Sequence, residues 1–194
     1  MSHDQTSSPR SLSQRIGQFV RTGFSEIPND WLVVYRMAFG GVMLAYIWSS
    51  FVKGRVDLFY VRPIHHFPYP GWEWVEKLDL KVVVGEQVFH AIQLEYFALG
   101  VCSFLILIGF GYRLASIVFA VLFAHIFLID KCYYQNHYYL VSLLGLLLPF
   151  LPANRAVSID ALLHPQVRSS TTPLWTLWLM RFQIGVPYLC GGLA

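Results

Sequence analysis

The residues best suited to chemistry lie in one short polar stretch, residues 130–139. The stretch contains Asp130, Lys131, Asn136, His137 and four tyrosines, and strongly apolar runs flank it on both sides. Ionisable side chains near the hydrocarbon core of a membrane are costly unless they are paired or functional. An imidazole exchanges protons near neutral pH, and phenol rings stack on aromatic ligands. This stretch is therefore the first candidate for a functional site.

The composition is that of a membrane protein. The chain of 194 residues is 56% hydrophobic but only 13% charged, whereas about a quarter of the residues in a soluble domain are charged. Lys and Arg outnumber Asp and Glu by only 14 to 11, a balance that favours lipid headgroups over nucleic acid as a partner. The 3 cysteines show no CxxC spacing, so they predict neither a disulfide framework nor a zinc site.

Apolar runs predict five membrane-spanning helices, since a bilayer core requires about 20 apolar residues for each helix. The runs lie at about residues 31–51, 88–110, 112–129, 138–151 and 173–194. Helices satisfy every backbone group in lipid, and these runs are too long for barrel strands. The predicted fold class is an all-α membrane protein, a bundle of about five transmembrane helices over residues 30–194. Gly41 and Ala45 have the spacing that allows close helix packing.

The first 29 residues predict a polar tail. Residues 1–12 are rich in Ser, Gln and Pro and predict disorder. Apolar residues between 13 and 24 recur at helical spacing opposite Arg15 and Arg21, which predicts either an interfacial helix or a solvated tail with chance periodicity. Lys and Arg are evenly divided between the two sides of the membrane, and giving the tail and the short loops more weight than the long connection predicts a cytoplasmic N-terminus.

The number of crossings determines which loops share a side of the membrane. Five crossings would bring the loop at residues 130–137, the long connection at residues 53–88 and the end of the fifth span to the same side. The long connection holds Tyr69, Trp72 and Trp74, which suit the headgroup layer. It also holds His65 and His66. Side chains of adjacent residues point apart, and no carboxylate or cysteine is spaced to complete a metal site with them, so no metal is expected.

Charged residues inside or beside the spans have two interpretations each. Arg36 either snorkels to the interface or pairs with a carboxylate inside the bundle. Glu95 and Arg181 are expected to pair with each other or with Arg36 in a structural role. Asp130 and Lys131 either belong to a site or lie in the headgroup layer.

Several short motifs follow one another along the chain in a definite order. They read YRMAFG at 35–40, GFGYR at 109–113, LIDK at 128–131, NHYYL at 136–140, ANR at 153–155, SID at 158–160, PLW at 173–175 and LMRFQI at 179–184, followed by Tyr188. In order and spacing they resemble the vitamin K-dependent gamma-carboxylase family, which carries the horizontally transferred transmembrane domain. The resemblance covers roughly residues 30–194.

The resemblance implies an integral membrane enzyme, a carbon–carbon lyase. Such an enzyme oxygenates vitamin K hydroquinone to its epoxide, and the strong base so generated removes a gamma proton from a protein glutamate before carboxylation. By resemblance, His137 stabilises charge at the site and Asn136 donates a hydrogen bond beside it. The implied cofactor is vitamin K hydroquinone, without a metal. The tyrosines expected to stack on its ring are Tyr133, Tyr134, Tyr138 and Tyr139.

The resemblance also implies a departure from the family. The catalytic lysine of the family follows the segment that corresponds here to residues 188–194, and Lys131 belongs to a different motif. The chain is therefore expected to be truncated at its C-terminal end and inactive as a fragment. Its expected partners are the lipid bilayer, a quinone and a protein substrate bearing glutamate.

Two other functions are compatible with the same pattern. One is a non-enzymatic membrane scaffold or a quinone- or lipid-binding protein built on the same helices. The other is a small transporter or quinone-linked subunit, which would need polar residues along a path through several spans.

Overall fold

The computed structural model describes residues 12–63, 65–75, 81–84 and 87–193. Its helices are α1 (Leu12–Gly23), α2 (Asp30–Val52), α3 (Ala91–Ile108), α4 (Tyr112–Ile129), α5 (Asn136–Leu147), α6 (Ile159–Leu163) and α7 (Leu174–Leu193). Its strands are β1 (Glu26–Pro28), β2 (Lys81–Val84), β3 (Gln87–His90) and β4 (Thr171–Pro173). Strands β1 and β4 pair antiparallel, as do β2 and β3. The disorder predicted for residues 1–12 falls, apart from Leu12, outside the described residues.

The prediction of an all-α membrane protein is confirmed. Within the described ranges, α2, α3 and α4 are long and apolar enough to cross a membrane. The predicted fourth span forms a helix of only 12 residues, α5, and at about 1.5 Å per residue it is shorter than a bilayer core of about 30 Å. The predicted fifth span corresponds to the 20 residues of α7, which include Arg181 and Pro187.

The second span starts later than the sequence predicts. Residues 87–90 form β3, which pairs with β2 in the register Lys81 to His90, and α3 begins only at Ala91. His90 begins the helix with a capping box, in which its backbone N–H donates to Oε1 of Gln93 at 2.9 Å. The backbone hydrogen bonds of this segment are thus satisfied between strands before the helix starts.

Helices α2 and α3 approach closely at Gly40. A Cβ placed there would lie 2.7 Å from the backbone nitrogen of Leu107 and 2.8 Å from the carbonyl oxygen of Ser103. The sequence prediction of Gly41 and Ala45 was wrong, because Ala45 is exposed and Gly41 faces only a leucine methyl at 3.9 Å. Their spacing matches the motif, but they lie on another face of α2.

The loops gather at two opposite ends of the bundle. The end that contains Asp130 also holds the C-termini of α2 and α4 and the N-termini of α3 and α5. There the backbone N–H of Lys131 donates to the carbonyl of Phe67 at 2.8 Å, so the loop after α4 meets the long connection as predicted. The end that contains Asp160 holds the start of α7, where the N–H of Leu174 donates to Ser25 at 2.9 Å. Ala194, at the end of the predicted fifth span, lies outside the described residues.

Helix α1 lies beside the start of α7. Phe19 stacks on Trp178 with ring centroids 5.1 Å apart, while Leu12, Ile16 and Val20 remain at least half exposed. An exposed apolar stripe beside a membrane bundle is what an interfacial helix requires. Its contact with a membrane stays a prediction.

Candidate functional site

Arg36 is a structural residue at the Asp160 end. Its side chain is fully buried, and its guanidinium donates to the carbonyls of Ile106 and Leu107, both at 3.0 Å, and to that of Val157. The two carbonyls of α3 lie in the last turn, where a helix leaves carbonyls unpaired and favours a cation. Both interpretations from the sequence were wrong: Arg36 does not snorkel, and among the described residues it makes no ion pair with a carboxylate.

Asp160 joins the connection before α7 to the turn between α3 and α4 at the same end. Its carboxylate accepts hydrogen bonds from the backbone N–H groups of Gly111 at 2.8 Å and Tyr112 at 3.1 Å, and from the Asn154 amide at 2.9 Å. Partial desolvation alone would raise the pKa of Asp160, but these hydrogen bonds outweigh it and hold the pKa below its ordinary value. The carboxylate therefore contributes to stability through its charged form.

Acidification is expected to remove this contribution. Because the pKa of Asp160 is lower in the folded state, its stabilisation is present above the unfolded value of about 3.9 and is lost as the pH falls through the folded value. The thermal midpoint of the wild type should exceed that of Asp160→Asn at pH 7, and the difference should shrink toward pH 3. Asp30→Asn, which changes an exposed carboxylate, is the control. A difference that is constant over this range would contradict the role assigned to Asp160.

At the opposite end, Asp130 pairs with His66. Oδ2 of Asp130 lies 3.2 Å from Nδ1 of His66, and the two side chains are only 5% and 10% exposed. The other carboxylate oxygen accepts the backbone N–H of Cys132 at 2.9 Å. Asp130 is thus buried and paired, while Lys131 is exposed. His65 is also exposed, so the adjacent histidines point apart as the sequence predicts.

A small cavity of about 140 Å³ lies next to this pair. Its wall is built by α2, α3 and α5 and by the segments that follow α2 and α4. The lining residues are Tyr46, Ser50, Arg55, Phe59, Tyr60, Tyr96, Cys132, Tyr133, Tyr134, Gln135 and Tyr138. The wall is therefore mainly aromatic, with hydroxyl groups on most of its rings.

Four phenols in this wall form two neighbouring pairs. The hydroxyls of Tyr46 and Tyr138 are 3.1 Å apart, and the rings of Tyr60 and Tyr96 have centroids 5.7 Å apart. Burial raises the pKa of Tyr60 to about 12, so its hydroxyl keeps its proton at neutral pH. Protonated phenols in a cavity wall can donate hydrogen bonds to oxygen atoms of a ligand.

The structure brings some of the predicted site residues together and separates others. Tyr133, Tyr134 and Tyr138 line the cavity, whereas Tyr139 packs its ring 6.3 Å from that of Phe127. Asn136 and His137 are exposed at the start of α5 and are not among the lining residues. Their predicted catalytic roles, and the predicted stacking of the tyrosines on a cofactor, stay predictions.

The charged residues of the bundle pair differently from the prediction. Oε2 of Glu95 lies 2.9 Å from Nδ1 of His125, so Glu95 pairs with a histidine on α4 rather than with an arginine. Arg181 is exposed on α7, and no ion pair is found for it within the described ranges. In that same part of the chain, no three His, Cys, Asp or Glu side chains are grouped to hold a metal ion.

A second cavity, of about 490 Å³, lies between α2 and α3 and has a wholly apolar lining. Its residues include Ile47 and Phe51, which are the sequence neighbours of Tyr46 and Ser50 in the phenolic cavity. Phe51 also makes an edge-to-face contact with Tyr96, with ring centroids 6.3 Å apart. One residue of the apolar cavity thus contacts one residue of the phenolic cavity, and the two share no lining residue.

Part of this site is not apparent from the sequence. Four of its residues come from three separate segments, namely α2, the connection after it and α3, and only the fold brings them near Asp130. These residues are Tyr46, Tyr60, His66 and Tyr96. The tyrosines lie inside or beside apolar runs, where an aromatic residue carries no signal of its own. The one available signal for His66 was its position in a connection predicted to lie on the same side as Asp130.

The fold and the site define an all-α membrane protein with a buried polar pocket at one end of its helices. The chain belongs to the HTTM domain family, whose family model matches residues 24–194. This domain is found in the N-terminal region of vitamin K-dependent gamma-carboxylase. A search of solved structures found no match to the chain.

Proposed function

We propose that this chain is the membrane domain of a quinol-dependent enzyme related to the gamma-carboxylases. It would bind vitamin K hydroquinone and oxygenate it to the epoxide. This oxygenation would be coupled to the carboxylation of a protein glutamate. The quinol and the glutamate would both bind at the Asp130 end. The observation that carries the proposal is the phenolic cavity beside the His66–Asp130 pair, in a chain of this family.

The dimensions and chemistry of the two cavities suit such a ligand. A cavity of about 150 Å³ holds a benzene-sized ring, so the phenolic cavity, at about 140 Å³, has room for one ring of the bicyclic quinol. The wall would have to open further to take the second ring. Phenols of the wall would bond the hydroxyl oxygens, and their rings would stack on the ligand. The apolar cavity of about 490 Å³, whose Phe51 contacts Tyr96 of the phenolic cavity, suits an isoprenoid tail.

A direct test is epoxide formation by the full-length protein. The protein would be purified in detergent, supplied with vitamin K hydroquinone and oxygen, and assayed by chromatography for the epoxide. His137→Ala is expected to lower the rate about 100-fold, the usual effect of removing one residue that stabilises developing charge. His164→Ala, which removes an exposed histidine at the opposite end, should leave the rate unchanged. Absence of epoxide from the wild type would refute the enzymatic proposal.

The alternative is a quinone- or lipid-binding protein without catalysis, favoured by the wholly apolar lining of the larger cavity. It predicts that vitamin K quenches the fluorescence of the cavity tyrosines while no epoxide forms. Carboxylation is tested separately, by mass spectrometry of a glutamate-containing peptide incubated with labelled carbon dioxide.

A further inference from the structure

A third cavity, of about 430 Å³, lies at the Asp160 end of the bundle. The last residue of α3, residues of α6 and the segments on either side of α6 build its wall. The apolar part of the wall is Ile108, Val157, Ile159, Ala161 and Leu162, and Arg168 supplies a charge. The cavity is open to the surroundings, since Val157 and Leu162 are 73% and 77% exposed. The proposed function assigns it no role.

The cavity lies where the hydrocarbon of a membrane gives way to headgroups. Helix α3 has 18 residues and is therefore roughly 27 Å long, so it just crosses a hydrocarbon core of about 30 Å. Ile108 is the last residue of this helix and lines the cavity. At this level of the membrane, the molecule that surrounds the protein is a phospholipid.

An apolar stripe on α3 extends from the cavity toward the opposite end of the bundle. Phe97, Val101 and Phe104 are exposed, and their spacing of three or four residues places them on the same face of α3 as Ile108. The stripe covers about three turns of the helix. A flexible apolar chain that starts in the cavity can therefore stay in contact with α3 along these turns.

Val157 lines the cavity in a strained backbone conformation. Its φ is 46°, in the left-handed region where a β-branched residue is an outlier. The guanidinium of Arg36 is buried and donates to the carbonyl of Val157, which holds this conformation. Such strain persists where the surrounding structure enforces it, and it clusters at ligand sites. Here it leaves an apolar side chain exposed at the cavity.

Arg168 is a cation without a carboxylate partner in the described part of the chain. It is exposed and makes no ion pair there, and no carboxylate lines the cavity with it. Asp160, on α6, already accepts hydrogen bonds from Gly111, Tyr112 and Asn154. A guanidinium donates two parallel hydrogen bonds to phosphate oxygens. The charge of the cavity therefore complements an anionic headgroup that carries an apolar tail.

We propose that this cavity binds a phospholipid with an anionic headgroup. Arg168 holds the phosphate, Val157 and Leu162 cover the start of one acyl chain, and the chain continues from Ile108 along the stripe on α3. A zwitterionic headgroup adds a cation that no carboxylate among the described lining residues would pair, so the site prefers the anionic lipid. The inference is independent of the proposed function, whose ligand would bind at the opposite end.

Mass spectrometry of the intact full-length protein measures which lipids it retains from detergent micelles. Offered equal amounts of dioleoyl phosphatidylglycerol and dioleoyl phosphatidylcholine, the wild type should retain mainly phosphatidylglycerol. Arg168→Gln should lower the affinity for phosphatidylglycerol about fivefold, the usual effect of one basic side chain at an anionic membrane surface. Arg113→Gln removes an exposed arginine at the same end that does not line the cavity, and it should leave the affinity unchanged. Absence of a preference in the wild type, or equal losses in the two variants, would overturn the inference.

Val157→Gly separates lipid binding from structural support. Glycine adopts a positive φ without strain, so the thermal midpoint of the variant in detergent should equal or exceed that of the wild type. Its affinity for phosphatidylglycerol should nevertheless fall roughly threefold, which corresponds to the loss of about one buried methylene group. A variant that binds this lipid as tightly as the wild type would show that no acyl chain packs on Val157, and the inference would fail.

Inorganic phosphate distinguishes a lipid site from a site for free anions. Phosphatidylglycerol should raise the thermal midpoint of the wild type more than that of Arg168→Gln, because the lipid binds the folded state. Inorganic phosphate at the same concentration lacks the acyl chain and should raise neither midpoint. If phosphate stabilises the wild type as much as the lipid does, the cavity binds anions without a tail and the inference is wrong.

Discussion

Replacing Arg36 with methionine is expected to lower the free energy of unfolding by about 3 kcal/mol, because each buried carbonyl left unpaired costs about 1–3 kcal/mol. Methionine retains the length and packing of the side chain but donates no hydrogen bonds. Ile106 keeps a second donor in the N–H of Gly109 at 3.2 Å, so Leu107 and Val157 bear most of the loss. At about 2–4 °C per kcal/mol for a chain of this size, the thermal midpoint in detergent should fall by roughly 10 °C.

Arg113→Met is the matched control for this prediction. Arg113 is exposed near the start of α4, at the same end of the bundle, so the same chemical change should shift the midpoint by no more than about 1–2 °C, the usual range for surface substitutions. Similar shifts in the two variants would mean that the carbonyls around Arg36 find other donors or water.

The motifs that resemble the carboxylase family divide into two groups in space. Arg36, Gly109, Asn154, Ser158 and Asp160 meet at one end, where they hydrogen-bond the ends of α2 and α3 to the loop before α7. Their part in the described structure is to hold loops together. The motifs around Asp130 and Tyr138 lie at the opposite end, beside the phenolic cavity. A resemblance to a family motif therefore does not by itself mark a catalytic residue.

Hydropathy predicted most of the fold, since a helix in lipid must satisfy its backbone locally and its length follows from bilayer thickness. The spans at α2, α3 and α4 were predicted to within a few residues. Hydropathy failed at α5, where a short apolar helix is followed by a tight turn at Leu148–Phe150. A continuous apolar run does not reveal where the helix within it ends.

The site was predicted only in part, because its members come from distant segments. Asp130 was visible in the sequence as a charge between two apolar runs. Its partner His66 and the ring of Tyr96 were not, since which face of a helix or loop reaches the pocket depends on packing between helices. The partners of Arg36 are backbone carbonyls, which any sequence supplies, so no pattern of side chains could have indicated them.

Adding one methyl group at Gly40 is expected to destabilise the bundle by about 3 kcal/mol, at the upper end for overpacking. The Cβ of Gly40→Ala would lie 2.7 Å from the nitrogen and 2.8 Å from the Cα of Leu107. Because these are backbone atoms of α3, no rotation of a side chain relieves the contact, and the two helices must move apart. Thermal unfolding of the purified variant in detergent measures the effect.

Gly41→Ala adds the same methyl group one residue further along α2, and its expected effect has the opposite sign. The nearest atom to its Cβ would be a leucine methyl at 3.9 Å, an ordinary contact, while alanine favours the helix by up to about 1 kcal/mol over glycine. Gly41→Ala should therefore be neutral or stabilising, and the two midpoints should differ by roughly 10 °C. If both variants unfold at the wild-type temperature, α2 and α3 do not approach at Gly40. The packing of α2 against α3, which positions Tyr46 and Tyr96 around the cavity, would then differ from the arrangement described here.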